Sequence, residues 1–201
     1  MGCGLLVGRS KAQHVVIVKR TYVDENAENV AEHQRSPIMH GTGKLAYLSL
    51  GSNVGDRAGN LRGAIARLAE VGCVRAVSSF YETEPVEFTA QPWFLNCAVA
   101  LETARMPKQL LHALLQLELE MGRRRTQDKG PRTIDLDILL FGNAIVNTPG
   151  LTIPHPALPE RRFVLEPLAE IAPQAIHPIL KKTIRELRDT LLPGPIVRKV
   201  G

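Results

Sequence analysis

The sequence predicts an α+β fold: a ferredoxin-like β-α-β-β-α-β core with an antiparallel sheet, followed by a C-terminal hairpin and two helices. Three observations carry this. From Leu45 onward, short runs of apolar and β-branched residues alternate with segments whose Leu and Ile recur at helical spacing. Turn residues separate these segments in the order strand, helix, strand, strand, helix, strand. The composition of the 201 residues, 44% apolar and 22% charged, is that of an ordinary globular chain. It excludes wholesale disorder, collagen-like repeats and a coiled-coil rod.

Each element has its own signal. Leu45–Leu50 is a short apolar strand, and Gly51–Asp56 reads as a turn. A helix follows with Leu61, Ile65 and Leu68 on one stripe. Val74–Tyr81, rich in β-branched and aromatic residues, is the second strand, and Phe94–Glu102 the third. Pro107 suits a helix start. Leu110, Leu114, Leu117 and Met121 give that helix its apolar face, and Gly122 is placed to end it. Thr133–Phe141 is the fourth strand, Ile145–Pro154 a hairpin, and Phe163–Ala172 and Thr183–Leu192 helices.

Residues 1–44 read differently, as an N-terminal extension, partly disordered, before a domain over 45–201. Val15–Val18 is its one candidate strand. Arg9, Lys11, Lys19 and Arg20 faintly suggest a transit segment, without the Ser content or amphipathic period of one. Cys3, Cys73 and Cys97 cannot all pair and show no CxxC spacing, so reduced thiols in the cytoplasm are expected. No apolar run is long enough for a membrane span. The net charge of +5 and pI near 9.3 hint at an anionic partner without naming one.

The chemistry concentrates around Asp128–Phe141. On a strand, Ile134, Leu136, Ile138 and Leu140 share one face and can enter the core, while Asp135 and Asp137 share the other. Two like charges ~6.5–7 Å apart are unfavourable unless a cation lies between them. Carboxylate oxygens suit Mg²⁺, and two ions ~3.5–4 Å apart would fit over such a pair. An exposed edge strand with solubilising acids is the plainer alternative. Arg123, Arg124, Arg125, Lys129 and Arg132 fall beside the pair against one acid, Asp128. Guanidinium forks bind phosphate oxygens bidentately, so the neighbourhood favours a metal–polyphosphate site. Gly41-Thr42-Gly43-Lys44 is not a P-loop: Ile38 stands at the first glycine and Leu45 at the Ser/Thr. Five of the nine aromatics, Phe80, Tyr81, Phe88, Trp93 and Phe94, cluster near polar Thr83, Gln91 and Asn96. They can hold a flat heterocycle or simply pack; Phe80 reads as core and Phe94 stays open. His155, between Pro154 and Pro156, is an incidental loop histidine or a donor to phosphate.

The blocks GPRTIDLDILLFGN and LTIPHP, with YLSLGSNVGDR, SSFYET and FLNCAVALET before them, resemble 6-hydroxymethyl-7,8-dihydropterin pyrophosphokinases of folate biosynthesis, over about Leu45 to Leu192. The resemblance implies transfer of pyrophosphate from ATP to the pterin's hydroxymethyl group, releasing AMP. It implies Asp135 and Asp137 as ligands of two Mg²⁺ ions and Arg123 and Arg132 as catalytic arginines. It implies Glu118, Arg125, Thr152, His155 and Arg161 on the ATP side. Phe94 and Phe163 match the rings that sandwich the pterin, Asn96 its hydrogen-bonding amide and Thr83 its loop. This sequence departs from the family pattern at Lys129, where some members carry Trp, at Glu87, where Gly is common, and at Phe94, often Tyr. The expected partners are ATP and the pterin, with no nucleic acid or membrane, and the expected state is a monomer. An RNA-recognition module uses the same element order but needs stacking rings on its central strands, and the third strand has none after Phe94. A ligand-sensing regulatory module has no use for the aspartates and arginines.

Overall fold

The computed structural model describes residues 43–86, 89–123 and 130–200. The extension over 1–44 and its Val15–Val18 strand therefore lie almost wholly outside the described residues. So do Glu87, Phe88, Arg124, Arg125, Asp128 and Lys129.

Eight strands and four helices follow in the order β1 (Lys44–Ser52), α1 (Arg57–Arg67), β2 (Cys73–Val77), β3 (Phe80–Thr83), β4 (Phe94–Thr103), α2 (Pro107–Glu120), β5 (Asp135–Phe141), β6 (Val146–Thr148), β7 (Leu151–Ile153), α3 (Arg162–Ile171), α4 (Ile184–Thr190) and β8 (Val197–Val200). The main sheet runs β5-β1-β4-β3-β8, with β2 also paired to β4, and all its pairings are antiparallel. The predicted ferredoxin-like order is thus present, with β2 and β3 sharing the place of its second strand.

Strand alternation sorts the sheet into two unlike faces. Ala46, Leu48 and Leu50 of β1, Leu95, Cys97, Val99 and Leu101 of β4, and Leu136 and Ile138 of β5 point to one side. They pack with Leu61 and Leu68 after α1's first turns and with Leu110, Leu114 and Leu117 of α2. This face is apolar along its whole length, and burying it supplies most of the driving force, about 25 cal/mol per Å² of apolar surface. The opposite face is divided. Ala98 and Leu140 at one end lie under α3 and α4, against Val164, Leu165, Leu168, Ile184 and Leu187. The other end carries Ser49, Gly51, Asn96, Asp135 and Asp137, and no helix covers it.

The ends of the helices follow from their sequences. Asp56 caps α1 by accepting from the Gly59 amide at 2.9 Å. Gly122, at φ +84°, terminates α2 in the left-handed region. Thr183 and Glu186 form a reciprocal capping box at the start of α4.

Four expectations change. The second strand is not continuous over Val74–Tyr81: Ser78 and Ser79 interrupt it, where the Ser78 hydroxyl accepts from the Ala98 amide at 2.9 Å. Leu140 does not share a face with Leu136 and Ile138, because β1 and β5 shift register between Tyr47 and Leu48, a bulge after which Leu140 joins Leu139 on the α3 side. Gly51 and Ser52 belong to β1 rather than to a turn. And β8 was not foreseen; Val-Arg-Lys-Val is short and half charged, and only pairing with β3 makes it a strand. Among the described residues no helix is long and apolar enough to cross a membrane.

Glu170 of α3 fastens the helix layer across the Ser78–Ser79 break. Its carboxylate accepts from the Tyr81 hydroxyl at 2.7 Å, the Ser79 hydroxyl at 2.8 Å and the Lys199 ammonium at 3.3 Å. Burial by itself would raise its pKa, but these donors outweigh burial and hold it below the usual carboxylate value. A carboxylate depressed in the folded state contributes stability above its unfolded pKa, and loses it as pH falls through the folded value. Glu170→Gln is therefore expected to cost about 1–2 kcal/mol at neutral pH. Urea unfolding at a series of pH values from 7 downward checks this: the difference between variant and parent should shrink as the pH falls.

Candidate active site

The uncovered end of the second face is the floor of an open cleft enclosing about 630 Å³, mouth included. The edge strand β5 and its neighbours β1 and β4 supply the floor in register. Gly51 of β1 sits between Asn96 of β4 and Asp135 of β5, and Ser49 pairs with Asp137. One wall comes from Thr83–Val86, Gln91 and Phe94; the other comes from Arg132 and from Arg161 and Phe163 at the start of α3. Eight of the residues singled out in the sequence thus meet around one space: Thr83, Phe94, Asn96, Arg132, Asp135, Asp137, Arg161 and Phe163.

The cleft has two chemistries. At the aromatic end the buried Asn96 amide donates to the Thr83 hydroxyl at 2.7 Å, which fixes the amide plane. Its oxygen lies beside Gly51, where an added Cβ would come within 2.7 Å of it. The missing side chain keeps the floor flat under Phe94.

At the charged end Asp135 and Asp137 lie side by side. Burial first, and then the charges of Asp135 and Glu118, push the Asp137 carboxyl up to about 7. The arginines only partly offset this. Arg123 Nη1 reaches Asp135 and Glu118, each at 2.5 Å. Glu118, 2% exposed, also accepts from the Leu136 amide at 2.6 Å, and burial raises its pKa. Arg132 Nε stands 3.3 Å from Asp135, but this buried donor makes no hydrogen bond. Its guanidinium lies 5.2 Å from the centre of the Phe94 ring, and that of Arg161 5.6 Å from the Phe163 ring. Each ring therefore has a guanidinium within cation–π distance.

The other candidates stand further out. Glu118 and Arg123 sit behind Asp135 and off the cleft wall. His155 follows β7, whose preceding Ile153–Pro154 peptide is cis. Its Nδ1 accepts from the Ala157 amide at 3.2 Å, so in the neutral ring the proton is on Nε2. Burial and the Arg161 charge lower its pKa and keep it neutral. Thr152 is exposed on β7, paired with Asn147, away from the cleft lining. Arg125 lies outside the described residues.

Sequence reasoning did not mark Ser49, Gly51 or Asn53. Asn53 joins the two walls. Its Nδ2 donates to Gln91 at 3.0 Å and to the Pro92 carbonyl at 3.2 Å, while its Oδ1 accepts from the Arg132 amide at 2.8 Å. Its place after the β1 glycine, in a run read as a turn, concealed this.

Similarity to known proteins agrees with the geometry. Residues 47–173 match the sequence model of the family described as 7,8-dihydro-6-hydroxymethylpterin-pyrophosphokinase (HPPK). The chain is 50% identical over 132 residues to the 2-amino-4-hydroxy-6-hydroxymethyldihydropteridine pyrophosphokinase of Bacillus subtilis, covering 65% of this chain and 79% of that protein. To the protein of the same name from Methylorubrum extorquens it is 46% identical over 155 residues, covering 76% and 97%. It is also 44% identical over 150 residues to the folic acid synthesis protein fol1 of Schizosaccharomyces pombe, but spans only 20% of that protein's length. Among solved structures, a Plasmodium falciparum HPPK-DHPS superposes with a TM-score of 0.61 at 18% identity, covering 76% of this chain and 45% of that one. That likeness speaks for the fold alone. With most of its described sheet and its cleft floor inside the matched span, this chain belongs to the HPPK family.

Proposed function

We propose that this chain transfers the pyrophosphoryl group of ATP to the hydroxymethyl oxygen of 6-hydroxymethyl-7,8-dihydropterin, releasing AMP, in folate synthesis. The observation that carries the reading is the juxtaposition in one cleft of an aromatic, amide-lined half with a half of paired carboxylates and arginines. A flat heterocycle with hydrogen-bonding edges fits between Phe94 and Phe163 with its edge on Asn96, and a polyphosphate fits the arginines.

In the reaction the hydroxymethyl oxygen attacks the β-phosphorus and its proton passes to solvent. The bond from that phosphorus to the oxygen bridging the α-phosphorus breaks, and AMP leaves with that oxygen. Such transfers need positioning and charge neutralisation more than a covalent catalyst. Phe94, Phe163, Asn96 and Thr83 orient the ring so that its hydroxymethyl arm points along the cleft toward the aspartates. Arg132, whose buried Nε lacks an acceptor, donates to phosphate oxygen, and Arg161 flanks it. Arg123 holds Asp135 and Glu118 in place. His155 offers its Nε2 proton to the phosphates.

The donor set fits Mg²⁺. Asp135 and Asp137 present hard oxygens, and Asp137 resists ionising beside its neighbour unless a cation is near. Among the described residues no three His, Cys, Asp or Glu side chains converge as a ready cage, which matches an ion that takes its remaining ligands from substrate phosphate and water. Two such ions would supply screening of the triphosphate charge and polarisation of the β-phosphoryl group. The reading takes residues 45–201 as the catalytic domain, acting as a monomer, and residues 1–44 as an extension.

The direct test incubates the protein with ATP, Mg²⁺ and the hydroxymethyl dihydropterin; AMP should appear in step with pterin diphosphate, and ADP should not. Asp135→Asn and Asp137→Asn should each lower turnover by ~10²-fold or more, as expected when several kcal/mol of metal-borne charge stabilisation is lost. Circular dichroism should show both variants folded, and near-parental turnover in either would remove that aspartate from the metal site. Gly51→Ala tests the other half. Its new Cβ displaces the Asn96 amide, so calorimetry should find pterin affinity lowered by about tenfold, the loss of about one hydrogen bond, with ATP affinity kept.

A further inference from the structure

The segment that walls the aromatic half leaves the sheet at Thr83 and returns at Phe94. Both of its ends are held by one arginine outside the cleft. Arg57, the first residue of α1, donates through Nη1 to the Trp93 carbonyl at 2.8 Å and through Nη2 to Glu82 at 3.0 Å. Glu82 immediately precedes the departing end, and Trp93 immediately precedes Phe94. The second oxygen of Glu82 accepts from Arg198 of β8 at 2.6 Å, directly across the β3–β8 pairing. Beyond this pair β8 keeps hold of the same segment: the Glu84 amide donates to the Ile196 carbonyl at 3.2 Å, and the Ile196 amide donates to the Glu84 carboxylate at 2.9 Å.

Glu82 alternates along β3 with Tyr81 and Thr83, so it points to the α1 side of the sheet and away from the cleft. None of Arg57, Glu82 and Arg198 lines the cleft. Thr83 and Phe94, which do, are paired with each other across β3 and β4, and the chain of bonds braces the two roots of the segment that runs between them. The side chain of Glu82 is 20% exposed and that of Arg57 32%, so the pair is screened less than a surface bridge.

We propose that Arg57, Glu82 and Arg198 are positioning residues for the heterocycle: a clamp behind the sheet that braces both roots of the segment walling the aromatic half, with β8 as its outer jaw. The inference rests on the functional reading above and adds a determinant of pterin affinity that touches neither substrate. The planar fork of Arg57 is essential to it. A lysine ammonium is a point donor on a flexible stem and can satisfy Trp93 or Glu82 but does not span both. Two guanidinium groups on one carboxylate also hold the Glu82 pKa below its usual value, Arg198 contributing most and Arg57 next, so the clamp stays charged at neutral pH.

The test measures pterin and ATP separately on Arg57→Lys, Glu82→Gln and Arg198→Ala in the full chain, with thermal melts and circular dichroism alongside. Unclamping the segment should make binding bear the cost of ordering it. Pterin KM and Kd are expected to rise about tenfold in Arg57→Lys and Glu82→Gln, and less in Arg198→Ala. ATP affinity, and kcat at saturating pterin, should hold. Unchanged pterin affinity in the first two variants would overturn the clamp. So would a parallel fall in ATP affinity, pterin affinity and melting temperature, which is the mark of general loosening. Parent protein that releases no AMP with the pterin would instead overturn the functional reading, and the clamp's purpose with it.

Discussion

The pair Asp135 and Asp137 imposes the constraint on which the site depends. Two carboxylates two residues apart on one strand face repel each other, and a third, Glu118, lies behind them. Arg123 and Arg132 answer these three with two positive charges. Burial first, and then the charges of Asp135 and Glu118, displace the Asp137 carboxyl upward to about 7, and the two arginines offset this only in part. A site built this way is poised for an incoming positive charge. It also explains why the loop preceding β5 is basic: without Arg123 and Arg132 the strand would carry its acids into a partly desolvated cleft unpaired, at a cost of several kcal/mol.

The sheet makes the cluster possible by being unequal on its two faces. One face buries apolar side chains along its whole length against α1 and α2, and this provides stability that does not depend on the site. The other face is covered by α3 and α4 at one end only. The bulge in the β1–β5 pairing is the device that divides β5. Asp135 and Asp137 face the cleft, Leu139 continues their face beneath the helices, and the bulge adds Leu140 beside it. One strand thus serves as cleft floor and as core within seven residues.

The charged half was the more legible in sequence. The alternation of Ile134, Leu136 and Ile138 with Asp135 and Asp137 has a period of two, and that period alone assigns the acids to one face. The order of the elements was legible for the same reason, since apolar periodicity is local. What escaped was non-local. Leu140 was misassigned because a bulge depends on the partner strand. Ser78 and Ser79 break a strand only because α3 and β4 take their hydrogen bonds. Gly51 resembles a turn residue until Asn96 is seen beside it. Glu82 and Arg198 are 116 residues apart, and nothing in either's neighbours announces the other.

The strand β8 has a consequence of another kind. A sheet that ended at β3 would present unpaired amides and carbonyls beside Phe80 and Tyr81, an open template for a strand from a second molecule. β8 occupies that row and offers in its place a margin of four residues, two of them the cations Arg198 and Lys199. Short, charged borders discourage edge-to-edge growth into aggregates. The same strand that steadies one wall of the cleft therefore also protects the colloidal solubility of a protein whose sheet is otherwise strongly apolar.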